Sequence, residues 1–498
     1  MSGNRPLIVV TLPARTAADA RSEVDEARAA GADVAEIRVD RWPPAERRRL
    51  HDLFPSELPL LATIRSAREG GDGPDDPAAR AVELRRCAEL PFRWIDLELD
   101  RDLPLATELP PADRLGRIIS LHLSKDDLSR WSERLLALSG VDGIGKLVVP
   151  AGVSVALREI VPRLAQPRDE PVVVLTTGPS GPLLRALSRR LGAPIVFASL
   201  PERAERTAVE PSQIPVDRLR PFLDADGDAP LFSVVGRPVA HSQSPALHGA
   251  WMRSGRRDGL YVGLEFSSDE ELLESIPLLA ASGFRGLNVT HPFKRIAFEA
   301  ATTAAPGATA CGAANCLTLR DGEVIAENTD LAAIVRRLEE LRGSERWDGH
   351  SLVVLGAGGA ARATLAAARA LSVTCTVCAR RPAEARALAE EFGATYDEPD
   401  RTVGRSLVVH ATSAGRADAG PLDPALAAAI GRGDHVLDWV YRPDRPVVAD
   451  VAARAHASYE DGWRLFVYQA AASFAEWWGE EPADDAIAAA LREGGCAG

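Results

Sequence analysis

A lysine in the middle of a short apolar run is the first residue of this chain that asks for chemistry. Lys146 lies within Ile144–Val149. Burial penalises an ammonium and lowers its pKa, which is what a Schiff-base nucleophile requires. His122 closes the preceding run, Arg117–His122, and could move protons near neutral pH. Arg38 and Arg65 end two further runs and could clamp a carboxylate bidentately. Glu36, Asp96 and Glu98 occupy similar positions. Singly, Lys146 could snorkel and His122 could be a satisfied core histidine. Their recurrence at strand ends favours a site.

The second signal is Gly356-Ala357-Gly358-Gly359-Ala360-Ala361, a G-x-G-x-x-G/A string between a strand and a helix. Glycines there allow a tight turn and bring a pyrophosphate against a helix N-terminus. The next strand ends at Cys378-Ala379-Arg380-Arg381, where an NAD enzyme carries an acid for the ribose hydroxyl. Two arginines favour a 2′-phosphate, hence NADP(H), over a solvated pair opening a helix at Pro382.

These residues need elements to hold them. Eight β-rich runs alternate with amphipathic stretches through the first 223 residues: 7–12, 34–39, 58–65, 93–99, 117–122, 144–149, 171–176 and 194–198. That rhythm predicts a (β/α)8 TIM barrel, with an open doubly wound sheet as the fallback. The acidic, Gly/Pro-containing stretch Asp224–Pro230 reads as a linker. Beyond it, Ser351–Leu355, a glycine-opened helix over 356–371 and Val373–Cys378 form a strand–helix–strand unit.

The chain has 498 residues, 46% apolar and 26% charged, an ordinary globular balance with room for about three domains. Its net charge of -13 argues against a nucleic-acid partner and assigns anion binding to local cleft residues. The six scattered cysteines fit a reducing cytoplasm. Cys375 and Cys378 lie three apart on a strand, on opposite faces, which disfavours a redox or zinc site. Leu7–Leu12 is too short for a signal peptide, and no stretch approaches transmembrane length.

In order, Glu36-Ile37-Arg38-Val39-Asp40, Thr63-Ile64-Arg65 with Glu69-Gly70-Gly71, Ser120-Leu121-His122, the Lys146 strand and Arg185 after Gly178–Gly181 resemble type I 3-dehydroquinate dehydratases. The resemblance implies an imine between Lys146 and the ketone of 3-dehydroquinate, His122 shuttling protons, and Glu69 supporting it. Glu36, Arg38, Arg65, Arg185 and Gln213 would hold the hydroxyls and carboxylate. No metal is implied. The chain departs from the family at Val209-Glu210-Pro211-Ser212-Gln213, where the family has Ser-Ala-Pro-Gly-Gln, and at Gly145.

The second half, from about Leu231, carries Ser242-Gln243-Ser244-Pro245, Asn288–Lys294, Gly312–Asn315, Glu327–Asp330, Ala411–Gly415, Tyr441 and the Gln469 helix. Together these closely resemble shikimate dehydrogenases. The resemblance implies that Lys294 and Asp330 are the catalytic pair. Ser242 and Ser244 would bind the carboxylate, Thr290, Asn315, Tyr441 and Gln469 the rest of the substrate. Gly356, Ala357, Gly358, Gly359, Ala360, Arg380, Arg381 and Thr412 would hold NADP(H). Taken alone, the serines could be turn formers, Lys294 a surface residue and Asp330 a cap of the helix beginning at Leu331.

The expected layout is a barrel over 1–223, a substrate lobe over 231–335 completed by helices in 461–498, and a Rossmann domain over 336–460. The expected activity is dehydration of 3-dehydroquinate followed by NADPH-dependent reduction of 3-dehydroshikimate to shikimate. A working dehydrogenase on a non-catalytic barrel, or an NAD-linked catabolic oxidoreductase, are the alternatives. The partners are small molecules, with neither nucleic acid nor membrane. Isolated barrels of the first family often pair, which leaves a homodimer open.

Overall fold

The computed structural model describes residues 5–201, 209–397, 407–416, 419–431, 435–441 and 447–493. It divides into two compact units, Met1–Phe232 with Asp258–Gly283, and Ser233–Arg257 with Phe284–Gly498.

The first unit contains β1 (Leu7–Leu12), β2 (Val34–Arg38), β3 (Leu60–Thr63), β4 (Trp94–Glu98), β5 (Gly116–His122), β6 (Ile144–Val149), β7 (Val172–Thr176), β8 (Ile195–Ser199) and β9 (Ile214–Pro215). Each expected run became a strand. Helices α1 (Ala17–Ala29), α2 (Pro77–Ala88), α3 (Trp131–Ser139) and α4 (Gly181–Ala186) intervene. The Thr16 side chain caps α1, and Asp76 followed by Pro77 starts α2. The strands pair in the order β7-β6-β5-β4-β3-β2-β1-β8-β9, parallel throughout. This is the expected barrel order, but among the described residues no ladder joins β7 to β8.

Side chains alternate across a strand, so every second residue faces the barrel interior. Counting along the strands gives three layers. Val9, Val34, Leu61, Ile118 and Ile195 form an apolar plug with Trp94 and Ile144. Two residues further on come Thr11, Glu36, Thr63, Asp96, Ser120, Lys146 and Phe197, all buried. Two further still lie Arg38, Arg65, Glu98 and His122, at the carboxyl ends where barrels carry chemistry.

Residues 225–230 are turn and coil, as expected of a linker, yet Arg190 ties the Gly227 and Ala229 carbonyls to its guanidinium. Strands β10 (Leu231–Gly236) and β11 (Leu260–Glu265) follow. Beyond them are β12 (Phe284–Val289), β13 (Thr303–Ala304), β14 (Cys316–Arg320) and β15 (Glu323–Glu327). The last four lie in the order β12-β14-β15-β13. Helix α5 (Ser244–Ser254) begins at the second serine of the motif, and α6 (Thr329–Leu341) at the residue before Asp330.

The remaining sheet is parallel: β16 (Ser351–Leu355), β17 (Thr374–Cys378), β18 (Thr395–Tyr396), β19 (Leu407–His410), β20 (His435–Asp438) and β21 (Ser458–Glu460), in the order β18-β17-β16-β19-β20-β21. The order reverses at β16, the switch point where doubly wound sheets bind dinucleotides. Helix α7 (Gly359–Ala370) leaves β16, and α8 (Trp463–Trp478) brings Gln469 back to the first lobe of this unit. Among the described residues no helix is long and apolar enough to cross a membrane.

Candidate active sites

The barrel layers converge on Lys146. Its Nζ stands 3.4 Å from Asp96 Oδ2 and 4.0 Å from the centre of the Phe197 ring. Burial lowers its pKa and Asp96 offsets part of the fall. Asp96 also accepts both Nη2 bonds of Arg65 at 3.0 Å and the Ser120 hydroxyl at 2.6 Å.

His122 lies one strand over. Its Nδ1 is 2.9 Å from Glu69 Oε2, and the same oxygen accepts from the His122 backbone N–H and from Arg65 Nη1. Burial, reinforced by Arg65, Lys146 and Arg38, holds the imidazole well below its usual pKa. Burial also pushes the Glu69 carboxyl up, to about 7, despite Arg65. An ionised Glu69 fixes the proton on Nδ1 and leaves Nε2 as a lone pair, the state a general base needs.

Glu36 accepts from Thr11 and Thr63, both at 2.7 Å. Gln213 Nε2 donates to Thr11, while its Oε1 is buried without a partner, an acceptor suited to a ligand hydroxyl. The arginines differ from their expected roles. Arg38 is engaged bidentately by Asp40, and Arg65 spends four N–H bonds on Glu69, Ser120 and Asp96. The strand ends thus supply both arginines with acidic neighbours of their own, so a ligand carboxylate would share them with Asp40, Glu69 and Asp96. Among the described residues Arg185 bonds no carboxylate, and Glu210 acts on it only at a distance. Its Nε and Nη1 donate to the carbonyls of Phe197, Thr176 and Gly181, leaving Nη2 for an anion. Burial brings its pKa down to about 10.

Val209 is half-buried. Ser212 donates to Glu210 at 2.7 Å and seats against Gly181, where an added Cβ would meet Ser212 Cβ at 2.2 Å. Ser120 and Phe197 had no assigned part, and Asp96 was noted only as a strand-end acid. The two-residue period linking Asp96 to Glu98 and Ser120 to His122 is the signal that finds them.

In the second unit, Lys294 Nζ and Asp330 Oδ2 are 2.5 Å apart. The Asn328 side chain caps α6 by accepting from Leu331 N–H, so capping does not occupy Asp330. Asn315 Nδ2 donates to Asp330 Oδ1 at 2.9 Å and reaches Gln469 Oε1 at 3.4 Å. Ser473, which no sequence motif indicated, is fully buried and bonds Asn288, Thr329 and the Gln469 carbonyl. Ser242 Oγ accepts from Ser244 N–H at the start of α5. Thr290 closes over Gly236, where a Cβ would fall 2.3 Å from its Cγ2. Tyr441 stacks on Phe466 at 4.4 Å, one turn before Gln469 on α8.

The fingerprint fits a dinucleotide. Gly356 has φ +127, and a Cβ there would strike the Ala411 carbonyl at 2.6 Å. Gly358, the N-cap of α7, has open space around it and offers no capping side chain, which leaves the first N–H groups for phosphate. Ala357 and Ala360 complete the turn without bulk. Arg380, beyond β17, is exposed and bonds no described residue, whereas Arg381 pairs with Glu384 at 2.8 Å. Cys375 is buried in β17, and burial pushes its thiol up to about 12, which suits a packed strand residue.

Fold and sites together define a chain of two enzymes, a lysine-bearing barrel and a dinucleotide-dependent dehydrogenase. Residues 8–230 match the type I 3-dehydroquinase model and 234–317 the shikimate dehydrogenase substrate binding domain. The chain belongs to the shikimate dehydrogenase family. It is 38% identical over 267 residues to the shikimate dehydrogenase (NADP(+)) of Acidiphilium cryptum, covering 52% of this chain and 95% of the relative. The Rhodospirillum rubrum enzyme is 36% identical over 281 residues, 53% and 98% respectively. The solved dehydroquinate dehydratase and shikimate dehydrogenase from S. pombe AroM spans 98% of this chain and 99% of its own, at 22% identity and a TM-score of 0.41.

Proposed function

We propose that the chain performs two consecutive reactions, dehydrating 3-dehydroquinate to 3-dehydroshikimate and then reducing that product to shikimate with NADPH. The observation that carries the first is Lys146, buried beside Asp96 and one strand from a Glu69-oriented neutral His122. Lys146 Nζ adds to the ketone carbon and water leaves, forming an iminium. His122 Nε2 takes the proton from the adjacent carbon, and the C–H electron pair forms a C=C bond as the iminium becomes an enamine. The enamine pair then expels the β-hydroxyl, which takes the proton from His122 Nε2 and leaves as water, restoring the iminium. Water then releases Lys146. Arg185 Nη2 meets the carboxylate, and Gln213 Oε1 accepts from a hydroxyl.

In the second unit bound NADPH supplies a hydride. Lys294 and Asp330 hold the proton beside the carbonyl oxygen, and Asn315 and Gln469 orient the ring hydroxyls. Ser242 and Ser244 meet the carboxylate. Arg380, exposed beyond β17, would hold a 2′-phosphate, with Arg381 beside it in sequence paired to Glu384. We assign the barrel to 1–223, the substrate lobe to 231–335 with 461–498, and the Rossmann domain to 336–460. Small molecules are its partners and the cytoplasm its place, with a homodimer left open as its assembly.

The test is NADPH oxidation by the purified chain supplied with 3-dehydroquinate. Lys146→Ala should abolish it with 3-dehydroquinate and spare it with 3-dehydroshikimate. Borohydride trapping should mark Lys146 in the wild type. No adduct, or activity surviving in Lys146→Ala, would overturn the barrel assignment.

A further inference from the structure

A buried histidine next to the fingerprint takes no part in either reaction. His410 ends β19, in register with Leu355 on one side, immediately before Gly356, and with Asp438 on the other. Both His410 and Asp438 are almost wholly buried. His410 Nδ1 is 2.7 Å from Asp438 Oδ1, and Nε2 is 2.5 Å from Thr412 Oγ1. Thr412 in turn lies against the fingerprint turn, its Cγ2 3.3 Å from the position of a Cβ on Gly356.

The hydrogen bonds fix which way the protons point. Besides His410 Nδ1, Asp438 faces two donors: the Val440 N–H at 2.9 Å on Oδ1, and the Tyr459 hydroxyl at 3.0 Å on Oδ2. Burial and Asp438 push the Tyr459 phenol up, so Tyr459 remains a donor. A carboxyl that accepts from these two donors on both oxygens acts as an acceptor toward the ring as well, so Nδ1 carries the hydrogen. In a neutral ring Nε2 is then an acceptor, and Thr412 must donate its only hydroxyl proton inward to it. Thr412 Oγ1 already accepts from Ala414 N–H at 3.2 Å, which leaves it one further lone pair.

We propose that His410, locked by Asp438, is a positioning residue that makes the Thr412 hydroxyl an acceptor at the nucleotide cleft. Thr412 therefore takes an N–H or O–H of the cofactor, from the carboxamide amine or a ribose hydroxyl. It does not take a pyrophosphate oxygen, which only accepts. The inference rests on the reading of this cleft as the NADP(H) site.

Nitrogen NMR of the free intact chain tests the tautomer without cofactor. His410 should show a protonated Nδ1 and a bare Nε2. Asp438→Asn should invert it, as loss of the carboxylate does in other Asp–His pairs. NADPH titration by fluorescence tests the consequence. Thr412→Val should weaken binding by about 5- to 10-fold, and Thr412→Ser should restore it to within about two-fold. Repeating the titration with the 3-acetylpyridine analogue, which lacks the amine, identifies the donor. If the Val penalty vanishes the carboxamide is the partner, and if it persists the ribose is.

A protonated Nε2 in the wild type overturns the proposal, as does unchanged NADPH binding in Thr412→Val. A chain that binds no NADPH overturns the cofactor reading instead. The two failures are told apart because the tautomer is read in the free protein.

Discussion

A β-carbon on Gly359 would lie 2.7 Å from Cδ of Lys294. The third glycine of the nucleotide fingerprint is thus also the floor under the aliphatic stem of the lysine that pairs with Asp330. Gly359→Ala should displace Lys294 and lower kcat on 3-dehydroshikimate by at least about 10-fold, the scale of a general-acid defect. Dehydratase activity should not change. Gly358→Ala meets no protein atom within 4 Å, so its cost should fall on NADPH binding. Steady-state kinetics with separate substrates distinguish the two; equal kcat values would refute the steric link.

The Glu69–His122 pair predicts the pH profile of the barrel. Below about pH 7 the Glu69 carboxyl takes up a proton. It then ceases to be an anionic acceptor for Nδ1–H, while His122, held well below its usual pKa, stays neutral. Dehydratase kcat/KM should therefore fall as pH drops through 7. Glu69→Gln should remove that acid limb and lower the plateau by about 10- to 100-fold. A limb unchanged in Glu69→Gln would assign it elsewhere.

Asp96→Asn removes the carboxylate that raises the Lys146 pKa and accepts both Nη2 bonds of Arg65. The limb set by deprotonation of Lys146 should move to lower pH. Stability should fall by about 3–5 kcal/mol, as when one partner of a buried ion pair is removed. Denaturant titration measures the second effect, and 3-dehydroshikimate reduction serves as the internal control.

Arg380 and Arg381 are adjacent but unequal. Arg381 is neutralised by Glu384, and Arg380 has no partner among the described residues. Arg380→Ala should lower the preference for NADPH over NADH by about 10-fold or more, the scale of a lost charge-assisted bond. Arg381→Ala should do less. The reverse order, read from KM for each cofactor, would exchange their roles.

Much of this was legible in the chain. Strand positions followed from apolar runs, because a parallel barrel strand is buried on both faces and its boundaries show as polar breaks. The Lys294–Asp330 pair was carried by motifs. What sequence did not show were the partners: Asp40 on Arg38, Asp96 and Glu69 on Arg65, and three carbonyls on Arg185. An arginine at a strand end looks the same in sequence whether its fork is open or filled. That difference depends on which neighbouring strand lies across from it. Ser473 was invisible for the same reason, being a lone hydroxyl in an apolar helix with two of its three partners, Asn288 and Thr329, from elsewhere in the chain. Asp330 looked capable of capping its helix, and Asn328, two residues earlier, took that place.

Arg185 reaches the carbonyls of Thr176 on β7 and Phe197 on β8, the two strands that no ladder joins among the described residues. One side chain does there what a row of peptide groups does elsewhere around the ring. The side chain proposed to meet the substrate carboxylate is therefore also a bridge between two strands. Removing it would take away the seam along with the proposed anion contact, so its loss would be felt in the shape of the site before any ligand arrived.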